Sequence, residues 1–204
     1  MRVGLFGGAF DPVHLGHLIL AEQCREQGRL DQVWFLPSAH PPHKPEGHLT
    51  RFDQRVEMLQ LAIAGNESFR VEEVEKELPA PGYTADTVTE LRRRHPGDDF
   101  FLLIGGDSLK DLPGWHDPER LVEQVGLLVL PRPGFPTPTA DQLRRAMPRL
   151  RPEMPLRLEV VEAPPLVSIA SRDLRARVAA GRSIRYLVPR AVEVYIREKG
   201  LYRG

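Results

Sequence analysis

The 204-residue chain has one cysteine, only four lysines and no surplus of charge of either sign. A lone Cys24 excludes an intrachain disulfide and fits a reducing compartment. The 28 basic and 28 acidic residues cancel, so no general nucleic-acid or membrane-binding surface is expected, and any anion site must be a local concentration of charge. No apolar run approaches the ~20 residues of a membrane span, and no signal peptide precedes the first motif, which places the chain in the cytoplasm. A P-loop, Gly-x-x-x-x-Gly-Lys-Ser/Thr, is missing. So is a full Gly-x-Gly-x-x-Gly, which argues against an ordinary dinucleotide-binding turn.

What is present is an ordinary globular balance, 41% hydrophobic and 27% charged, long enough for one well-cored domain over 1–204. Short apolar runs alternate with helical periodicity. Strands are predicted at Val3–Phe6, Gln32–Leu36, Phe69–Val74, Phe100–Ile104, Val125–Leu130 and Leu156–Val161. Helices are predicted at Leu15–Gln27, Arg51–Ala64, Thr84–Arg94 with Thr84 as N-cap, Ser171–Ala180 and Pro189–Lys199, the last stopping at Gly200. Pro37–Thr50 reads as a polar loop, and the proline-rich stretches at Pro131–Pro138 and Pro148–Pro155 as surface connections. Strands alternating with helices give an α/β class, a Rossmann-like doubly wound parallel sheet with helices on both faces. Its ligand crevice lies beyond the carboxyl ends of the strands, where Gly7-Gly8, Pro37–Lys44 and Gly105–Asp107 should meet.

The most informative stretch is Val3–His17. An apolar strand leads into Gly7 and Gly8, which break it into a tight turn that Phe10-Asp11-Pro12 carries forward to a helix start near His14. Glycines admit an anion to the backbone, and the first helical N–H groups point at it. His14 and His17, three apart, share a face of the first helical turn, and Gly16 between them leaves room for a bulky anion. Two imidazole donors at such a place suit charge developing on a phosphate. A surface accident or half a metal site is the plain alternative for the histidine pair alone.

Four further constellations carry weaker signals. Pro41-Pro42-His43-Lys44 is a stiff loop with two cationic or donor tips, or a solvated turn. Gly105-Gly106-Asp107 after a buried strand offers a carboxylate for ribose hydroxyls, or a cap for the next helix. Trp115 offers a stacking plane, or a lid over the core. Ser171 and Arg175, four apart at a helix start, make a polyphosphate clamp from a hydroxyl, helix N–H groups and a guanidinium.

Gly7–His17 resembles the signature of the nucleotidyltransferases that share the His-x-Gly-His motif. No Lys-Met-Ser-Lys-like loop follows, unlike in the related class I aminoacyl-tRNA synthetases. Over nearly the whole chain the order of motifs is similar to that of bacterial nicotinate-nucleotide adenylyltransferases. These motifs include Tyr83-Thr84-Ala85-Asp86-Thr87, Ile104–Asp107, Trp115, Arg132-Pro133-Gly134, Ser171–Arg175 and Ile184–Pro189 through to Tyr202. The resemblance implies transfer of AMP from ATP to nicotinate mononucleotide, giving deamido-NAD and pyrophosphate. It implies catalytic roles for His14, His17, Lys44 and Arg175. It implies ATP contacts at Gly7, Gly8, Phe10, Gly16, Gly105, Asp107 and Ser171, and mononucleotide contacts at Ser38, Thr84, Trp115 and Arg132. The C-terminal segment, about 171–204, would complete the phosphate site. Mg²⁺ would arrive with ATP, with no protein metal cluster and no nucleic acid or membrane partner. A homo-oligomer is left open. The chain departs from the family pattern at Ala170 and Arg172, where Ser and Thr are usual, and at Ser38, Gly82 and Gly106. Pantetheine-phosphate adenylyltransferases and cytidylyltransferases share the N-terminal signature, and a non-catalytic nucleotide sensor is the reading from a different class.

Overall fold

The computed structural model describes residues 1–41, 49–131, 137–162 and 168–203. Six strands, β1 (Arg2–Gly8), β2 (Gln32–Pro37), β3 (Phe69–Val71), β4 (Asp99–Gly105), β5 (Gly126–Leu130) and β6 (Leu158–Val160), form one sheet. Every neighbouring pair is parallel, in the order β3-β2-β1-β4-β5-β6. The chain therefore steps outward from β1 to one edge, crosses back, and steps outward to the other. The reversal falls between β1 and β4, where a ligand crevice opens in such sheets.

Strand residues alternate between two cores, which is why the strands read as unbroken apolar runs rather than as an in–out pattern. Phe100, Leu102, Ile104, Leu127 and Val129 face one side with α3 (Thr84–Arg94), α4 (Gly106–Asp111), α5 (Pro118–Gln124) and α6 (Ala140–Ala146). Phe101, Leu103, Leu128 and Leu130 face the other, with α1 (Leu15–Gln27), α2 (Phe52–Ile63), α7 (Ser171–Ala179) and α8 (Arg190–Glu198). The doubly wound expectation holds, and α1 and α3 have the expected bounds.

Four local expectations are corrected. Gly7 and Gly8 do not break the strand: they continue β1, paired with Leu36 and Pro37 of β2. The strand expected over Phe69–Val74 stops at Val71, and Val74–Lys76 turns as a 3-10 helix. Leu156–Val161 shortens to Leu158–Val160. Thr84 is the first residue of α3 rather than its cap, which is Tyr83 without a side-chain bond. The short helices α4, α5 and α6 were not expected. Each has only six or seven residues, too few for a periodic pattern to stand out. At the other end of the chain the expected stop holds: Gly200 takes φ +63, and the Gly200 and Leu201 N–H groups cap the α8 carbonyls of Arg197 and Ile196.

Candidate active site

At the carboxyl edge of the sheet lies a cavity of about 1200 Å³. That exceeds the roughly 300–1,000 Å³ of a site for one small molecule, so two nucleotide-sized ligands are sterically plausible occupants. The ends of β1 (Gly7, Gly8), β2 (Leu36, Ser38), β4 (Ile104, Gly105) and β5 (Leu130, Pro131) form its floor. His17, Thr84, Asp107 and Trp115 complete the set of expected site residues that line it. His14, Phe10, Gly16, Ser171 and Arg175 do not line it. Lys44 and Arg132 lie outside the described residues.

The two histidines form a reciprocal pair. The His14 ring accepts from the His17 N–H at Nδ1 (3.3 Å), and the His17 ring accepts from the His14 N–H at Nδ1 (3.2 Å). This is a capping box made from imidazoles, with His14 as the N-cap of α1. The rings stack at 3.6 Å between centroids, tilted by 17°. Burial holds both neutral: His14 is pushed down to about 4, and His17 to about 3 with a further contribution from His14. A neutral ring that accepts at Nδ1 carries its proton at Nε2. The backbone thus fixes two Nε2–H donors without placing charge beside an incoming anion.

The first helical N–H groups are not the open cradle expected. The Leu15 N–H donates to Leu187 O (3.0 Å) and the His17 N–H is taken by His14. Two of the first-turn N–H groups are thus engaged within the protein, and the rings add their Nε2–H donors beside them.

The loop after β1 is held from behind by buried charge. Arg55, 1% exposed, donates to the carbonyls of Thr50 (2.9 Å), Ala9 (2.8 Å) and Ser38 (2.8 Å). One guanidinium thereby joins three segments, of which the Ser38 segment lines the cavity. Asp11, also 1% exposed, accepts from the Tyr202 hydroxyl (2.6 Å) and the Thr50 N–H (3.2 Å). Ser171 and Arg175 reach the same loop: Ser171 Oγ donates to Pro12 O (2.9 Å) and Arg175 Nη1 to Asp11 O (2.7 Å). Their α7 turn thus leans on the His14 loop, while Arg172 is exposed beside Asp173.

Gly8 is needed for space. A Cβ there would lie 3.0–3.2 Å from the Phe10 ring, which is buried with φ +47. Gly7 differs: a Cβ would meet nothing within 4 Å, because that side of the strand faces the cavity. Across the cavity, Asp107 sits in the first turn of α4 and folds back so that Oδ1 lies 2.6 Å from where a Gly105 Cβ would be. Asp107 is not the N-cap of α4, since Gly105 holds that place. Trp115 both packs against the core and lines the cavity, so lid and wall are one residue. Beside it, Tyr83 stacks on His116 at 4.0 Å, joining the start of α3 to the connection before α5.

Glu75 has no place among the sequence motifs, and Asp11, Arg55 and Tyr202 enter only as members of longer stretches, the Phe10-Asp11-Pro12 turn, the Arg51–Ala64 helix and the C-terminal motif. Arg55 left one signal, a cation directly beside Val56 on the apolar face of α2. Glu75 and Tyr202 left none, because Ala39 and Asp11, which they bind, are more than thirty residues away in sequence.

Comparison with known proteins agrees with this geometry. The Cytidylyltransferase-like family matches residues 5–177. A protein of Geobacillus thermodenitrificans named "Probable nicotinate-nucleotide adenylyltransferase" is 42% identical over 98% of this chain and 86% of its own length. One of the same name from Thermus thermophilus is 44% identical over the full length of both chains. The Plasmodium falciparum nicotinic acid mononucleotide adenylyltransferase, solved in complex with NaAD, superposes with a TM-score of 0.75 at 19% identity over 98% of this chain and 97% of that one, a likeness of fold. No helix among the described residues is long and apolar enough to cross a membrane. The chain belongs to the cytidylyltransferase-like family, among the nicotinate-nucleotide adenylyltransferases.

Proposed function

We propose that the protein transfers AMP from ATP to nicotinate mononucleotide, giving deamido-NAD and pyrophosphate. The observation that carries this reading is the stacked His14–His17 pair, two neutral Nε2–H donors at the edge of a cavity large enough for two nucleotides. The relatives' name supplies the substrate class.

In this reaction an oxygen of the acceptor's phosphate attacks the α-phosphorus of ATP, and the bond from that phosphorus to the bridging oxygen of the β-phosphate breaks. The electron pair leaves with pyrophosphate. The nucleophile is already an anion, so the site needs no strong general base. Its work is to align two anions and to stabilise charge on the transferring phosphoryl group. His17, on the cavity wall, serves the reacting phosphate, with His14 stacked behind it. Gly7 and Gly8 let the polyphosphate approach the backbone. Ser171, Arg175 and Lys44 act on the polyphosphate side, completed by the C-terminal helices of a single domain. Gly105 and Asp107 take the ribose of ATP, with Phe10 and Gly16 shaping the ATP side. Ser38, Thr84, Trp115 and Arg132 receive the mononucleotide. ATP enters as its Mg²⁺ complex, the ion held by phosphate oxygens as part of the substrate. A cytoplasmic setting belongs to the same reading, consistent with the single buried thiol, Cys24.

Product analysis with MgATP and a panel of phosphate acceptors tests this directly. The panel comprises nicotinate mononucleotide, nicotinamide mononucleotide and phosphopantetheine, with CTP as an alternative donor. Deamido-NAD as the main product supports the proposal. A pantetheine or cytidylyl product assigns the chain to another activity of its fold, and binding without turnover marks a sensor.

A further inference from the structure

Glu75 is a buried carboxyl on the acceptor side of the cavity, 8% exposed, on the 3-10 turn after β3. It bridges two walls. Oε2 accepts the Ala39 N–H at 3.2 Å, and the carboxyl also bonds the hydroxyl of Thr87 on the first turn of α3. Gly82 completes the enclosure: a Cβ there would lie 3.3 Å from Glu75 Oε2, and its N–H donates to His40 O at 2.9 Å.

Thr87 is wholly buried, and its hydroxyl lies 3.2 Å from Tyr83 O, a group that can only accept. When Thr87 gives its single proton there, it meets Glu75 as an acceptor and Glu75 carries the proton between them. When Thr87 gives its proton to Glu75, that bond and the Ala39 N–H favour the carboxylate. Burial outweighs them, pushing Glu75 up to about 7. Among the described residues the charged group acting on it is Arg55 of α2, which favours the carboxylate. The Ala39 segment and α3 face it with an N–H and a hydroxyl, neither of which titrates. On its own turn, Lys76 is paired with Asp53.

We propose that Glu75 is a positioning residue and charge switch of the acceptor site. As a neutral acid it ties Ala39 to Thr87 and admits the carboxylate of a pyridine mononucleotide. As a carboxylate it repels that group from the shared wall. This rests on the acceptor assignment above. Like charges brought into one partly desolvated site raise each other's cost of ionisation, so acceptor binding should favour the protonated form.

The test is KM for nicotinate mononucleotide, nicotinamide mononucleotide and ATP at pH 6.5 and 8.5, in wild type, Glu75→Gln and Glu75→Ala. In wild type, KM for the acid mononucleotide should rise about tenfold more than KM for the amide, whose phosphate titrates alike. Glu75→Gln mimics the neutral acid, so it should match wild type at pH 6.5 and lose the extra rise. Glu75→Ala should raise KM for the acid mononucleotide above wild type at pH 6.5, where the tie between Ala39 and Thr87 is lost, show no extra rise at pH 8.5, and leave KM for ATP unchanged. Parallel acid and amide profiles in wild type overturn the proposal with no variant needed. So does a Glu75→Gln profile that superimposes on wild type, or a KM for ATP that moves with KM for the acceptor. A wild type that makes no deamido-NAD overturns the acceptor assignment itself, which is a different result.

Discussion

The hydroxyl of Tyr202 donates to Asp11 Oδ1 across 2.6 Å, joining residues 191 positions apart behind the histidine loop. Asp11 is 1% exposed, and its main-chain oxygen is held by Arg175. The tail after α8 is thus part of the support of the loop between β1 and α1. Tyr202→Phe removes one hydrogen bond to a buried carboxylate, which contributes roughly 1.5–3 kcal/mol. Urea unfolding should show a loss in that range, with a lower kcat/KM for ATP as the loop loosens. Unchanged stability would show that Thr50 and Arg175 hold Asp11 without it.

Arg55 supports the same loop from α2. Arg55→Met leaves three carbonyls without their donor and removes a buried positive charge that acts on Asp11. Breaking buried ionic contacts in this way typically costs about 3–5 kcal/mol. Arg55→Lys should recover little of it, because one ammonium cannot span the carbonyls of Ala9, Ser38 and Thr50 as the planar fork does. Denaturant midpoints of the two variants check this, and a lysine variant of wild-type stability would contradict it.

Acid should destabilise the fold through the histidine pair. His14 and His17 stay neutral down to about 4 and 3, whereas the unfolded chain takes up protons near 6.5. The contribution is whole above pH 6.5 and drains as pH falls toward those lower values. At pH 5 the loss is on the order of 2 kcal/mol for each ring. Unfolding free energies at pH 7 and 5 should therefore converge in His14→Gln/His17→Gln. Equal slopes in the variant and wild type would mean that other groups set the acid sensitivity.

The two glycines ending β1 should respond differently to one added methyl. Gly8→Ala drives a Cβ against the buried Phe10 ring and should cost about 1–3 kcal/mol of stability. Gly7→Ala meets open cavity and should stay within about 0.5 kcal/mol of wild type. Its methyl would instead occupy phosphate space, lowering kcat/KM for ATP at least tenfold by the proposed reading. A Gly7→Ala enzyme with normal ATP kinetics would remove Gly7 from the ATP site.

What could be read from the sequence follows from range. The β1–α1 unit was legible because the strand, His14, His17 and the helix start are contiguous. The alternation of strands and helices was legible because each buried strand is an apolar run bounded by polar turns. Gly7-Gly8 reads as a turn because glycine signals freedom of the backbone, whereas here the strand continues, with Gly7 open to the cavity and Gly8 making room for the Phe10 ring. Thr84 reads as a cap because threonine commonly caps, yet Tyr83 precedes the helix with no side-chain bond. The supports behind the site were illegible for a different reason. Arg55, Glu75 and Tyr202 act on Ala9, Ala39 and Asp11, and only the folded topology brings those pairs together.

The most direct measurement is kcat/KM for nicotinate mononucleotide and nicotinamide mononucleotide at saturating MgATP, with both dinucleotide products quantified. The acceptors differ by a carboxylate against a neutral amide, and in the proposed pocket the amide would turn donor hydrogens toward N–H groups at the start of α3. Each buried donor left unpaired costs roughly 1–3 kcal/mol, so two give a preference on the order of 10²-fold or more. The account predicts deamido-NAD and pyrophosphate in equal amounts, with the acid preferred by at least that factor. Equal values for the two acceptors, or a preference for the amide, would contradict it.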